Sequence, residues 1–109
     1  MQTTRYIGID LHRNKFTCCV RLENGREYLS NWRLEDLERF TRKLRLTDHL
    51  AVEVTGNTRL FHDAVKPHVQ RVVAVDPNQF KVISHSVKKT DCNDARNLAL
   101  YLAKDCCRR

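Results

Sequence analysis

Glycine and proline are scarce in this chain, three and two among 109 residues. That excludes low-complexity linkers and a disordered tail, both of which are built from such residues. No internal repeat is visible. Long apolar runs are missing too. The longest, such as Val72-Val73-Ala74-Val75, are strand-length and far below the ~20 residues that cross a bilayer. The start, Met1-Gln2-Thr3-Thr4-Arg5, lacks the apolar stretch of a secretory signal, so a cytoplasmic location is expected. Five cysteines fall as Cys18-Cys19, Cys92 and Cys106-Cys107, an odd count without CxxC spacing, which reads as reduced thiols. His12, His49, His62, His68 and His85 are scattered and make no zinc pattern. What remains is an ordinary globular inventory, 41% hydrophobic and 30% charged. A chain of this length forms one domain and buries roughly 65% of its unfolded surface. Lys and Arg exceed Asp and Glu by 20 to 13, a net +7, which favours a polyanionic partner without naming a chemistry.

Residues 6–11 alternate, with Ile7, Ile9 and Leu11 on one face and Gly8 and Asp10 on the other, as in a strand. Phe16, Cys18, Val20 and Leu22 alternate again. Asn24-Gly25 is a strong hairpin signal, so a third strand follows across 26–32. From Leu34 the period becomes helical, through Leu37, Phe40 and Leu44. Leu50-Ala51-Val52-Glu53-Val54 reads as a buried strand interrupted by one carboxylate. A helix from about 58 to 66 carries Leu60, Phe61, Ala64 and Val65 inward and stops at Pro67. Residues 72–75 form a fifth strand. Asp76-Pro77-Asn78-Gln79 has the spacing of a capping box and predicts a helix to about His85. A last helix carries Ala95, Leu98, Ala99 and Leu102 as its stripe. The order β-β-β-α-β-α-β-α-α predicts an RNase H-like α/β fold. Its mixed five-stranded sheet has antiparallel strands 1–3, with strands 4 and 5 parallel to the first.

Four acids stand out in that frame. Asp10 ends the first strand and Glu53 lies near the same end of the fourth, where an ionised group is costly unless it is paired or coordinates a metal. Asp91 and Asp94, at i and i+3, share one face of a helix's first turn. Hard oxygen donors of this kind suit Mg²⁺, and two such ions ~3.5–4 Å apart clamp the oxygens of a phosphoryl displacement. Each acid also has an ordinary explanation. Asp10 suits a turn, Glu53 an ion pair or a solvated face, and Asp91 and Asp94 a helix start. Their joint occurrence is harder to obtain by accident. Asp76 needs only its capping role.

Gly8-Ile9-Asp10-Leu11-His12-Arg13-Asn14-Lys15, then Glu53-Val54-Thr55-Gly56, Val75-Asp76-Pro77 and Lys89-Thr90-Asp91-Cys92-Asn93-Asp94-Ala95 resemble the N-terminal RuvC-like domain of the DEDD transposases of the bacterial insertion sequence IS 110 family. The resemblance covers essentially the whole chain. Its most specific segment is Lys-Thr-Asp-x-x-Asp-Ala after a Val-Asp-Pro. It implies that Asp10, Glu53, Asp91 and Asp94 are catalytic and bind divalent metal, Mg²⁺ or Mn²⁺. It also implies RNA-guided DNA recombination, with DNA and a structured guide RNA as partners and a homo-oligomer in the full-length context. Family members continue to a second region that provides a nucleophilic serine. None of Ser30, Ser84 and Ser86 matches its context, so residues 1–109 are expected to be one RuvC-like domain that does not complete strand exchange alone.

Arg13 and Lys15, with Arg5, near the first strand, and Lys88, Lys89 and Arg96 around the last helix, are candidate phosphate contacts or ordinary surface charge. Cys18 is expected in the core, and Trp32, Tyr28 and Phe40 in the core or on a sheet face. Two further functions stay open beside the transposase reading: a stand-alone RuvC- or RNase H-like nuclease, and a non-catalytic RNA-binding fragment. An actin-like ATPase is disfavoured, because no Gly-rich phosphate loop follows Asp10.

Overall fold

The computed structural model describes residues 4–53, 58–75 and 91–107, the side chains of 91–94 and 105–107 excepted. The expected helix over 76–85, with its capping box, lies outside the described residues. Five strands form one sheet: β1 (Arg5–Leu11), β2 (Lys15–Leu22), β3 (Glu27–Arg33), β4 (His49–Glu53) and β5 (Arg71–Val75). Their order is β3-β2-β1-β4-β5. β1 pairs antiparallel with β2 and parallel with β4, β2 antiparallel with β3, and β4 parallel with β5. This is the expected mixed sheet of an RNase H-like α/β fold, with β1 at its centre.

Both hairpins are short and well specified. Arg13-Asn14 joins β1 to β2, closed by the His12 amide donating to the Lys15 carbonyl at 2.8 Å. A three-residue loop, Glu23-Asn24-Gly25, joins β2 to β3. The Leu22 amide donates to the Arg26 carbonyl and the Gly25 amide to the Leu22 carbonyl, while Gly25 sits at φ +91°. A positive φ at the third loop position is the reason for glycine there.

The two faces of the sheet differ in character. On one, Ile7, Ile9, Leu11, Phe16, Cys18, Leu50 and Val52 pack against Leu37, Phe40, Phe61 and Val65, from α1 (Leu37–Thr41) and α2 (Thr58–Val65). Phe16 is its centre, edge-on to Phe40 at 4.9 Å and to Phe61 at 5.2 Å, with Trp32 stacked at 6.5 Å. Burial pushes the Cys18 thiol from its ordinary 9.0 up to about 12, so it is an inert core residue. On the other face, α3 (Asp91–Cys107) lays Ala95, Leu98, Ala99 and Leu102 over Cys19, Ala51 and Val75. All four helix residues are fully buried, as their spacing predicted.

Two helical expectations are corrected. The run from Leu34 is no single helix: a 3-10 turn (Leu34–Asp36) precedes α1, and Leu44 lies beyond its end. The chain tightens there because the Thr41 hydroxyl donates to the Glu38 carbonyl at 2.7 Å and the Lys43 amide to the Phe40 carbonyl at 3.0 Å. Leu60, expected inward, is 59% exposed. Phe61 and Val65, one turn apart, take the contact line, and Leu60 sits about 100° around the helix from Phe61. Pro67 ends α2 as expected, inside a 3-10 turn (Lys66–His68).

At the start of β1, Arg5 forms a two-pronged ion pair with Asp48, Nε to Oδ1 at 2.8 Å and Nη2 to Oδ2 at 2.6 Å. Asp48 is fully buried and also accepts the Arg45 amide at 2.8 Å. The hydrogen bond to Asp48 holds the Arg5 guanidinium above its ordinary pKa. This clamp fixes the N-terminal end of β1 against the chain entering β4. No helix among the described residues is long and apolar enough to cross a membrane.

Candidate metal and nucleic-acid site

The site expected from sequence lies at the other end of β1. Ile9 pairs with Val52 across the parallel β1–β4 ladder, so Asp10 and Glu53 are the next residues on each strand. Neighbouring strands lie about 4.8 Å apart, and side chains alternate faces. Ile9 and Val52 enter the aromatic core, so Asp10 and Glu53 share the α3 face. Asp10 is only 6% exposed; Glu53 is half-buried.

Asp10 belongs to a polar row that crosses the sheet. It pairs with Thr17 on β2, and Thr17 pairs with Asn31 on β3. The buried Thr17 hydroxyl donates to Asn31 Oδ1 at 2.9 Å. His12, just past the strand end, places Nε2 3.0 Å from Asp10 Oδ2. With its proton on Nε2 the ring donates to the carboxylate and restricts its rotation. Thr17, Asn31 and His12 were not singled out as site residues from the sequence. The signal for Thr17 was present in the tight Arg13-Asn14 turn, which sets the register that puts it opposite Asp10.

Gly8, two residues before Asp10 on the same face, lets the covering helix come close. A Cβ at Gly8 would lie 2.0 Å from the Ala95 carbonyl oxygen and 2.6 Å from the Ala99 nitrogen. Glycine is therefore the only residue that fits this crossing. Asp91 and Asp94 belong to the first turn of that helix, which begins at Asp91; their side chains lie outside the described residues.

Among the candidate phosphate contacts, Arg13 and Lys15 are exposed beside the β1–β2 turn. Lys15 pairs with Arg33, two residues further along the Thr17 and Asn31 face. Arg96 is about half exposed and bonds Glu27 Oε1 at 3.0 Å, near the opposite end of β3 from Asn31. Arg5 is committed to Asp48. Lys88 and Lys89 lie outside the described residues.

Among the described residues no group of three or more His, Cys, Asp or Glu side chains is placed to hold a metal ion. The donor chemistry nevertheless fits a hard cation: two carboxylates on adjacent strands, one deeply buried, with no cysteine in the row. No curated protein sequence matches the chain at significance. A family model described as Transposase, that of the DEDD transposases of the IS 110 type, matches residues 7–107. That span takes in most of the central strand, the polar row and the covering helix, and the chain belongs to this DEDD transposase family.

Proposed function

We propose that this domain supplies the acidic centre at which its transposase cleaves and exchanges DNA strands, with Asp10, Glu53, Asp91 and Asp94 as its metal-binding carboxylates. The observation carrying this reading is the register. Asp10 and Glu53 follow the Ile9 and Val52 pair on adjacent parallel strands, beneath the helix that begins at Asp91. Asp91 and Asp94 belong to the first turn of that helix.

In this reading His12 fixes the Asp10 carboxylate, and burial of that carboxylate favours compensation by a cation. Mg²⁺ or Mn²⁺, when bound, would supply Lewis acidity and an activated water. Arg13, Lys15, Lys88, Lys89 and Arg96 would hold phosphates of DNA and of a structured guide RNA, positioning the strand without reading its sequence. None of Ser30, Ser84 and Ser86 serves as a nucleophile, and residues 1–109 act as one RuvC-like unit of a homo-oligomeric assembly.

The test is a thermal melt with and without Mg²⁺ or Mn²⁺. The unmutated chain is expected to gain several degrees at saturating metal, and Asp10→Asn and Glu53→Gln to lose that gain. A chain that melts identically with and without metal would overturn the assignment. Cleavage of four-way junctions or RNA–DNA hybrids by this chain alone would favour a stand-alone nuclease.

A further inference from the structure

α3 covers only part of its side of the sheet. It seals Cys19 of β2, which is fully buried with Ala95 and Ala99, but it leaves the same side of β3 open. Leu29, opposite Cys19, is 46% exposed, and Asn31 and Arg33 further along are exposed as well. This open strip adjoins the buried carboxylate. Asp10, Thr17 and Asn31 stand in one row across β1, β2 and β3, so Asn31 lies two strand spacings, about 10 Å, from Asp10. Lys15 and Arg33 form the next row toward the β1–β2 turn.

The strip offers donors and positive charge. The Thr17 hydroxyl donates to Asn31 Oδ1 at 2.9 Å. That bond turns the amide so that its nitrogen, with two N–H donors, has no partner among the described residues. Lys15 adds an exposed ammonium. Arg33 lies 3.5 Å from Glu35, but the two side chains are 79% and 73% exposed, and so solvated a pair holds its guanidinium weakly. The only acid within β2 and β3, Glu27, stands at the far end and is already bonded to Arg21 at 2.8 Å and to Arg96 at 3.0 Å.

We propose that Asn31, Lys15 and Arg33 hold the DNA strand where it leaves the acidic centre across β2 and β3, the Asn31 amide donating to a phosphate that flanks the bond being cleaved. This path rests on the function proposed above for Asp10 and Glu53, and it adds a direction for the strand and a neutral contact to it. A phosphodiester oxygen is negative and accepts only, and it matches a strip that presents donors and cations. The Asn31 row and the Lys15–Arg33 row are two residues apart along the strands, about 7 Å, comparable with the separation of successive phosphates in an extended strand. The occupant is DNA because the strand lying against the acids is the one being cut.

Fluorescence anisotropy of a labelled single-stranded oligodeoxynucleotide, titrated with the full chain in Mg²⁺ across a salt series, tests the path. Asn31→Asp keeps the acceptor for Thr17, and with it the local fold, but replaces the two donors by negative charge; it is expected to weaken binding about tenfold. Arg39→Ala, at an exposed position of α1 on the opposite side of the sheet, lowers the net charge by the same single unit and is expected to cost no more than about twofold. Lys15→Ala and Arg33→Ala should each reduce the magnitude of the salt slope by about 0.7. Asn31→Ala should weaken binding about fivefold with the slope unchanged, because a neutral amide displaces no counterion. Circular dichroism checks that each variant folds, and Asn31→Asp carries the test if Asn31→Ala does not. Equal losses for Asn31→Asp and Arg39→Ala, no binding by the unmutated chain, or a loss confined to an RNA oligonucleotide of the same sequence would each overturn the proposal. A chain whose melting ignores metal would remove the acidic centre, and with it the identity of the strand as the one cleaved. A normal metal gain, with Asn31→Asp binding like Arg39→Ala, would remove the path alone.

Discussion

Two buried aspartates on or beside β1 have opposite fates. Asp48 is fully buried and saturated by Arg5 and the Arg45 amide, so its charge is compensated within the protein. Asp10 is nearly as buried, and one of its partners is the imidazole of His12, with Nε2 3.0 Å from Oδ2, a group that carries a full charge only when protonated. The two carboxylates thus differ in a partner, a permanently charged guanidinium against an imidazole, rather than in depth. Breaking a buried pair by removing one partner costs about 3–5 kcal/mol, because it strands the other charge. Asp48→Ala is expected to fall in that range in urea unfolding. Asp10→Asn, without metal, should change stability much less, since the amide keeps the shape and sheds a buried charge.

At the scale of elements, the crossing of α3 over β1 leaves no room for a Cβ at Gly8. Because a Cβ at Gly8 would meet backbone atoms of the helix, which cannot rotate away, Gly8→Ala must push helix and strand apart. Overpacking of this kind costs typically 1–3 kcal/mol. The expected result is a lowered melting temperature, together with faster hydrogen exchange at the amides of α3. Much of this layer was legible in the sequence. Ala95, Leu98, Ala99 and Leu102 kept their helical period, and Asp10 and Glu53 were visible because each interrupts an apolar strand at the parity of the opposite face. The short elements were less legible. Leu34, Leu37, Phe40 and Leu44 share a period, but a side chain to main chain bond at Thr41 ends the helix early. Leu60 is apolar and adjacent to core residues, yet eight helical residues present too narrow a stripe to bury it. The Arg5–Asp48 clamp was invisible because nothing local in either segment marks a partner so distant in sequence.

For the whole molecule, the net charge is +7, and it includes the four acids proposed for the site. Subtracting the four proposed site acids from the 13 Asp and Glu leaves 20 − 9 = +11 for the remainder. Binding to duplex DNA or structured RNA is therefore expected to weaken steeply with salt, in proportion to the phosphates contacted. In metal-free buffer, Asp10→Asn with Glu53→Gln should tighten binding, because the local repulsion is removed, and saturating Mg²⁺ should narrow the difference. Filter binding across a salt series measures both effects.

The central position of β1 also bears on the order of assembly. Its antiparallel neighbour follows after a two-residue turn, and β3 after a short loop, so the meander closes with local contacts that cost little chain entropy. Its parallel neighbour β4 arrives only after β3 and α1 intervene, and closing that longer loop is slower. The strands that carry Asp10 and Glu53 are therefore expected to pair after the meander has closed. The antiparallel half of the sheet can thus form before the strand that carries Glu53 docks beside β1.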